Sequence, residues 1–111
     1  MSTVFGLIIQ GKIPSKKVFE NERILAIEDI HPVAPVHILI MPKKEIPNLQ
    51  SLQPEDYPLL AEIVEVAQQI AEEKGVADGY RFLTNNGSDA GQTIFHLHFH
   101  LIGGRALGKM A

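Results

Sequence analysis

Residues 93–102 read TIFHLHFHLI, and the alternation inside that stretch decides what kind of fold the chain can make. Apolar residues and histidines take turns from Phe95 to Leu101, and in a strand successive side chains point to opposite faces. Read as one strand, the stretch puts His96, His98 and His100 on one face and Leu97, Phe99 and Leu101 on the other. The apolar face needs a helix to cover it. The imidazole face is left toward a cleft or solvent. The chain has five histidines, so this strand concentrates most of its imidazole in one place.

The flanking sequence supplies the other parts. Gly103-Gly104 closes the strand, NGSDAGQ (86–92) before it is a glycine-rich loop, and YRFLTN (80–85) reads as a further strand. Upstream, Asp56 is placed to cap a helix over Tyr57–Lys74, with Pro58 in the first turn, where a missing N–H costs little. Leu59, Ile63, Val66 and Ile70 form its apolar stripe, with Leu60, Val64 and Ala67 beside them; Glu62, Glu65, Gln69, Glu72 and Glu73 face solvent, and Gly75 stops it. Residues 42–56 are loop-like. VHILIMP (36–42) is a strand with Val36, Ile38 and Ile40 on one face and His37, Leu39 and Met41 on the other. HPVAP (31–35) is an extended connector, because two prolines bias the residues before them away from helix. KKVFE (16–20) and RILAIED (23–29) read as a hairpin. STVFGLIIQGKIP (2–14) reads as a short helix capped by Ser2 or Thr3, striped by Val4, Phe5, Ile8 and Ile9, and ended by Gly11 and Pro14. The expected fold is α+β, one domain over residues 1–111: an antiparallel sheet of about five strands, one long helix and a short N-terminal helix.

Composition narrows the function. A chain of 111 residues is one domain's length, and its formal charge of −3 with only Lys16-Lys17 and Lys43-Lys44 as basic runs argues against long nucleic acid as a partner. With no cysteine, thiolate zinc sites, disulfide scaffolds and cysteine nucleophiles are excluded. No apolar run approaches the roughly 20 residues that span a bilayer, and the N-terminus lacks a basic region followed by an apolar one. No membrane association and a cytoplasmic location are expected.

Three readings compete for the imidazole face. A histidine-rich surface strand is the bland one, and three histidines in register beside a glycine-rich loop weigh against it. Zinc is the second, since imidazole is its commonest ligand; but His96 and His100 would lie roughly 13 Å apart along an extended strand, and no carboxylate is interleaved. Phosphorus chemistry is the third. A neutral imidazole attacks phosphorus, its neighbours handle charge and protons, and the glycine-rich loop offers backbone N–H groups to phosphate oxygens.

HLHFHLI (96–102) matches the histidine-triad motif His-φ-His-φ-His-φ-φ, φ being apolar, at every position. FGLIIQGKIPSKKVFENERILAIEDIHPVAPVHILIMPKKEI (5–46) and GYRFLTNNGSDAGQTIFHLHFHLIGGR (79–105) resemble the histidine-triad nucleotide-binding proteins of the Hint branch over nearly the whole chain. The resemblance implies a homodimer whose sheets join across the interface, with a purine nucleotide such as AMP in a cleft on each protomer. It implies hydrolysis of nucleoside phosphoramidates such as adenosine 5′-phosphoramidate at the P–N bond, through a nucleotidyl-histidine. On it, His98 is the nucleophile, His100 contacts the phosphate, and His96 and His37 complete the polar cluster. Asp29 holds the ribose hydroxyls, Ile30, Phe5 and Ile8 line the base pocket, and Asn85, Gly91, Gln92 and Thr93 hold the phosphate. No metal or other cofactor is implied. The alternatives are a nucleotide-binding regulatory module with incidental hydrolysis and a dinucleoside polyphosphate hydrolase of the same family. The chain departs from the branch at Thr93, where serine is common, at Phe95, where tyrosine is frequent, and at the C-terminus, which lacks a tryptophan-containing tail.

Overall fold

The computed structural model describes residues 2–111. Thr3 caps the first helix, α1 (Val4–Ile9), its hydroxyl accepting from the Gly6 N–H at 3.0 Å. Three strands follow, β1 (Lys17–Glu20), β2 (Ile24–Glu28) and β3 (Val36–Pro42); then the long helix α2 (Tyr57–Glu73), β4 (Tyr80–Leu83) and β5 (Phe99–Gly103). The five strands form one sheet in the order β1-β2-β3-β5-β4, with every neighbouring pair antiparallel. This is the α+β fold that the alternation in residues 93–102 predicts.

Pairing carries the alternation across the sheet. Ile38 lies opposite Leu101, and Ile40 opposite both Ala26 and Phe99. With Ile24, the residues Ala26, Ile38, Ile40 and Leu101 form a buried cluster against Ile63, Val66, Ala67 and Ile70 of α2, and the half-buried Phe99 packs against it. On the other face Leu39 lies opposite Ile27 and His100, and Met41 opposite Leu25. There Leu25, Ile27, Leu39 and Met41 pack against Phe5 and Ile8 of α1. The short helix covers only part of that face, and beside it the histidines sit.

Four local expectations are corrected. β5 begins at Phe99, so of the triad only His100 lies in the strand. The residues before it spend their polar groups elsewhere: the Leu97 N–H donates to the Ile46 carbonyl at 2.6 Å, and the His98 carbonyl accepts from the Thr84 hydroxyl at 2.6 Å. That hydroxyl also marks the early end of β4, two residues short of Asn85. Asp56 does not cap α2 with its side chain. A 3-10 turn over Pro54–Asp56 leads into the helix, and the Asp56 carboxylate accepts from the Gln53 N–H and from Lys44. Val64, placed beside the apolar stripe of α2, is exposed.

Candidate active site

A cleft of about 350 Å³ opens between α1, the end of β2, and the loop that precedes β5. Phe5, Ile8, Asp29, Ile30, Asn85, Gly91, Gln92, Thr93, His98 and His100 line it, ten of the twelve residues singled out from sequence. Val4, Ile27, Glu28, His31, Leu39 and Ile94 complete the lining. Of these, Ile27 and Leu39 were legible in principle, since strand alternation puts Leu39 on the face of His37. One end of the cleft is apolar, made by Phe5, Ile8, Ile27 and Leu39, with Ile30 largely exposed at its rim. The other end carries the imidazoles and the glycine-rich loop.

His96 and His37 do not line the cleft; both are buried behind it. The expectation of three imidazoles presented side by side therefore holds for two. His96 turns inward because its ring has a partner there: its Nε2 donates to the Pro42 carbonyl at 2.7 Å. Its own backbone carbonyl lies 2.7 Å from Nδ1 of His98. A carbonyl only accepts, so His98 carries its proton on Nδ1 and keeps the Nε2 lone pair free. The Phe5 ring meets His98 edge-on, with centroids 4.8 Å apart.

The second pair is set in the same way. The Val33 N–H donates to Nδ1 of His37 at 3.1 Å, which leaves the His37 proton on Nε2. That atom lies 2.9 Å from Nδ1 of His100 and 3.3 Å from an Asp29 carboxylate oxygen. His100 therefore accepts at Nδ1 and carries its own proton on Nε2. Asp29 is held at the end of β2 by its N–H to the His37 carbonyl, and its other carboxylate oxygen accepts from the His31 N–H at 2.8 Å.

Burial sets the charge state. It lowers the pKa of His98, of His37 and of His100, the last to about 4, where the neighbouring His98 and His37 push in the same direction. All three are neutral near pH 7. The site thus offers one unprotonated nitrogen and one N–H donor on adjacent rings whose centroids are 5.3 Å apart.

Gln92 sits at the base of the glycine-rich loop, buried, and its amide is fully engaged: Oε1 accepts from the Gly87 N–H, and Nε2 donates to the Pro47 and Ile94 carbonyls. It holds the loop's shape. Gly91 turns the loop with φ of 99°, a left-handed conformation that glycine adopts without strain.

Asp29, His37 and His100 are also the one cluster of metal-ligand type among the described residues. Two nitrogens bound to one tetrahedral zinc lie about 3.3 Å apart, given Zn–N bonds of roughly 2.0–2.1 Å. The 2.9 Å between His37 and His100 is a hydrogen bond instead.

With this geometry in place, comparison with known proteins is decisive. The HIT domain model matches residues 10–107, and a HIT-like protein of Chlamydia pneumoniae is 53% identical over 98% of this chain and 99% of its own length. The chain belongs to the HIT domain family. Among solved structures, a HIT family hydrolase from Clostridium thermocellum superposes with a TM-score of 0.94 at 45% identity, covering 98% of this chain and 96% of that one. A histidine triad nucleotide-binding protein from Candida albicans superposes with a TM-score of 0.82 at 32% identity, over 99% of this chain and 86% of that one. In this HIT protein the motif's middle histidine stands at the cleft wall, while its first histidine is a buried support.

Proposed function

We propose that this HIT protein hydrolyses purine nucleoside phosphoramidates through a nucleotidyl-histidine intermediate, as a member of the Hint branch. The observation that carries the reading is the tautomer of His98, whose Nδ1 proton is held by the His96 carbonyl so that the Nε2 lone pair is available in the cleft. His98 Nε2 attacks the α-phosphorus as the P–N bond breaks, and the nitrogen takes the bonding pair and a proton from solvent to leave as the amine. The imidazolium formed keeps its Nδ1–H on the His96 carbonyl, a charge-assisted bond that stabilises the intermediate. Water then attacks phosphorus and loses a proton to solvent as the P–Nε2 bond breaks with its pair returning to Nε2, which releases the nucleoside monophosphate and regenerates neutral His98. His100 donates its Nε2 proton to a phosphate oxygen, with His37 behind it. The exposed rim and apolar end of the cleft suit a base against Ile30, Phe5 and Ile8. The Asp29 carboxylate has lone pairs left for the ribose hydroxyls. Asn85, Thr93 and the backbone from Gly91 to Thr93 would hold the phosphate, with Gln92 acting through the loop.

Neighbours described as a HIT family hydrolase and as a histidine triad nucleotide-binding protein support the reading. A homodimer with joined sheets is part of it: β4 is an edge strand with no strand on its outer side among the described residues, the feature by which a second copy extends a sheet. The test replaces His98 with Ala and measures both turnover of adenosine 5′-phosphoramidate and affinity for AMP. Turnover is expected to fall at least about a thousand-fold with AMP affinity within a few-fold of the parent; turnover that survives rules out the covalent route. Comparing diadenosine polyphosphate with phosphoramidate turnover separates the two hydrolase readings.

A further inference from the structure

The proton arrangement at His100 traces back to a residue outside the cleft. His100 presents N–H at Nε2 because its Nδ1 accepts from His37, and His37 has that proton to give because Val33 occupies its other nitrogen. Val33 is a curious anchor. It lies in the 31–35 connector, its side chain is largely exposed, and only its backbone does the holding. Its N–H goes to His37, and its carbonyl accepts from the Arg105 guanidinium at 2.8 Å. Arg105 is thus bonded to the same residue that sets the His37 tautomer, from the opposite side of its Cα.

The exit of β5 is built for this contact. Arg105 follows Gly104, which has φ of 97°, and a Cβ at that position would come within 3.0 Å of the Pro35 side chain. Only glycine allows the chain to turn there while pressed on the connector. The Arg105 guanidinium also bonds the adjacent Ala106 carbonyl, which fixes its own direction. The connector is therefore fastened at its start by the Asp29 N–H to the His37 carbonyl, and later by Gly104 and Arg105.

We propose that Arg105 is a positioning residue for the His37–His100 pair, holding the Val33 backbone so that His37 stays protonated on Nε2 and His100 keeps its own proton on Nε2. The contact has no reach into the cleft, so its effect belongs to proton placement and not to nucleotide affinity. Its consequence for rate rests on the proposed phosphoramidase reading; its consequence for tautomers does not.

The test uses the full-length protein, ¹⁵N-labelled at histidine, as the parent and as R105M, R105K and V33P. Imidazole ¹⁵N shifts without ligand report which nitrogen of His37 and His100 carries the proton. In the parent, His37 Nδ1 is expected to be unprotonated. In R105M a Nδ1-protonated population of His37 is expected, and R105K, which keeps a donor for the Val33 carbonyl, restores most of the parent pattern. V33P removes the N–H outright and is expected to show the largest change. In phosphoramidate turnover, R105M is expected to lose roughly five-fold in kcat, the worth of one hydrogen bond, with KM little changed. Unaltered histidine tautomers in R105M, or a lysine variant no better than the methionine one, would overturn the proposal. A parent that shows no phosphoramidate turnover while R105M still shifts the tautomers overturns the functional reading and upholds the positioning role.

Discussion

At the scale of single residues the site is a matter of which nitrogen holds which proton. His98 and His100 are neighbours of the same type with opposite settings, one offering a lone pair and the other a proton, because each is bonded at Nδ1 to a different kind of partner. Protonation of His98 would remove its nucleophilic lone pair, so activity falls on the acid side of its pKa. Burial lowers that pKa from the ordinary 6.5, so the acid limb of kcat/KM is expected below pH 6.5, measured with phosphoramidate from pH 4 to 8. An acid limb at or above 6.5 would mean that His98 is not shielded as described. Strand alternation made the shared face of His98 and His100 legible in the sequence, whereas the place of His37 beside them came from the family resemblance. Alternation could not reveal that His96 turns inward, since its partner is a carbonyl at Pro42, far away in the chain.

At the scale of elements, the loop before β5 shows what local pattern leaves out. TIFHLHFHLI has the alternation of a full strand, yet the ladder takes only its second half, because Ile46 and Thr84 claim backbone groups upstream. The helix α2 was readable nearly to the residue, since its stripe, its early proline and Gly75 are all local signals. Asp56 stands at the N-cap position of α2 as its sequence suggests, but its carboxylate serves the turn before the helix and Lys44 and not the helix N–H groups. Gln92 is the side chain around which the glycine-rich loop closes. Q92A would leave the Gly87 N–H and the Pro47 and Ile94 carbonyls without that partner, and is expected to lower stability by about 1–3 kcal/mol. A denaturant midpoint for Q92A equal to the parent's would show that the loop holds its shape without the amide.

At the scale of the molecule, one sheet separates structural work from chemistry: α2 covers one face with the larger apolar cluster, and the short α1 leaves room on the other for a cleft. Burying neutral imidazoles there links stability to pH. His100 has its pKa near 4 in the fold against 6.5 ordinarily, so between those values the unfolded chain binds more protons than the folded one. Stability is therefore expected to be full above pH 6.5 and to fall as pH drops from 6.5 through 4. Thermal unfolding followed at pH 7, 6 and 5 checks this, and H100N should flatten the dependence. The two faces of the sheet were legible from alternation; the strand order was not, because β5 inserts between β3 and β4 through pairing that no local pattern encodes. The depth of the cleft was not, because it depends on how little of the sheet α1 covers.

The most direct measurement is mass spectrometry of the protein quenched by alkaline denaturation, which preserves the acid-labile P–N bond, during turnover of adenosine 5′-phosphoramidate, followed by peptide mapping. The account predicts an adenylyl group on His98 within the peptide containing HLHFHLI, and none in H98A. Turnover that proceeds with no nucleotide on the protein, or with the nucleotide on another residue, would contradict it.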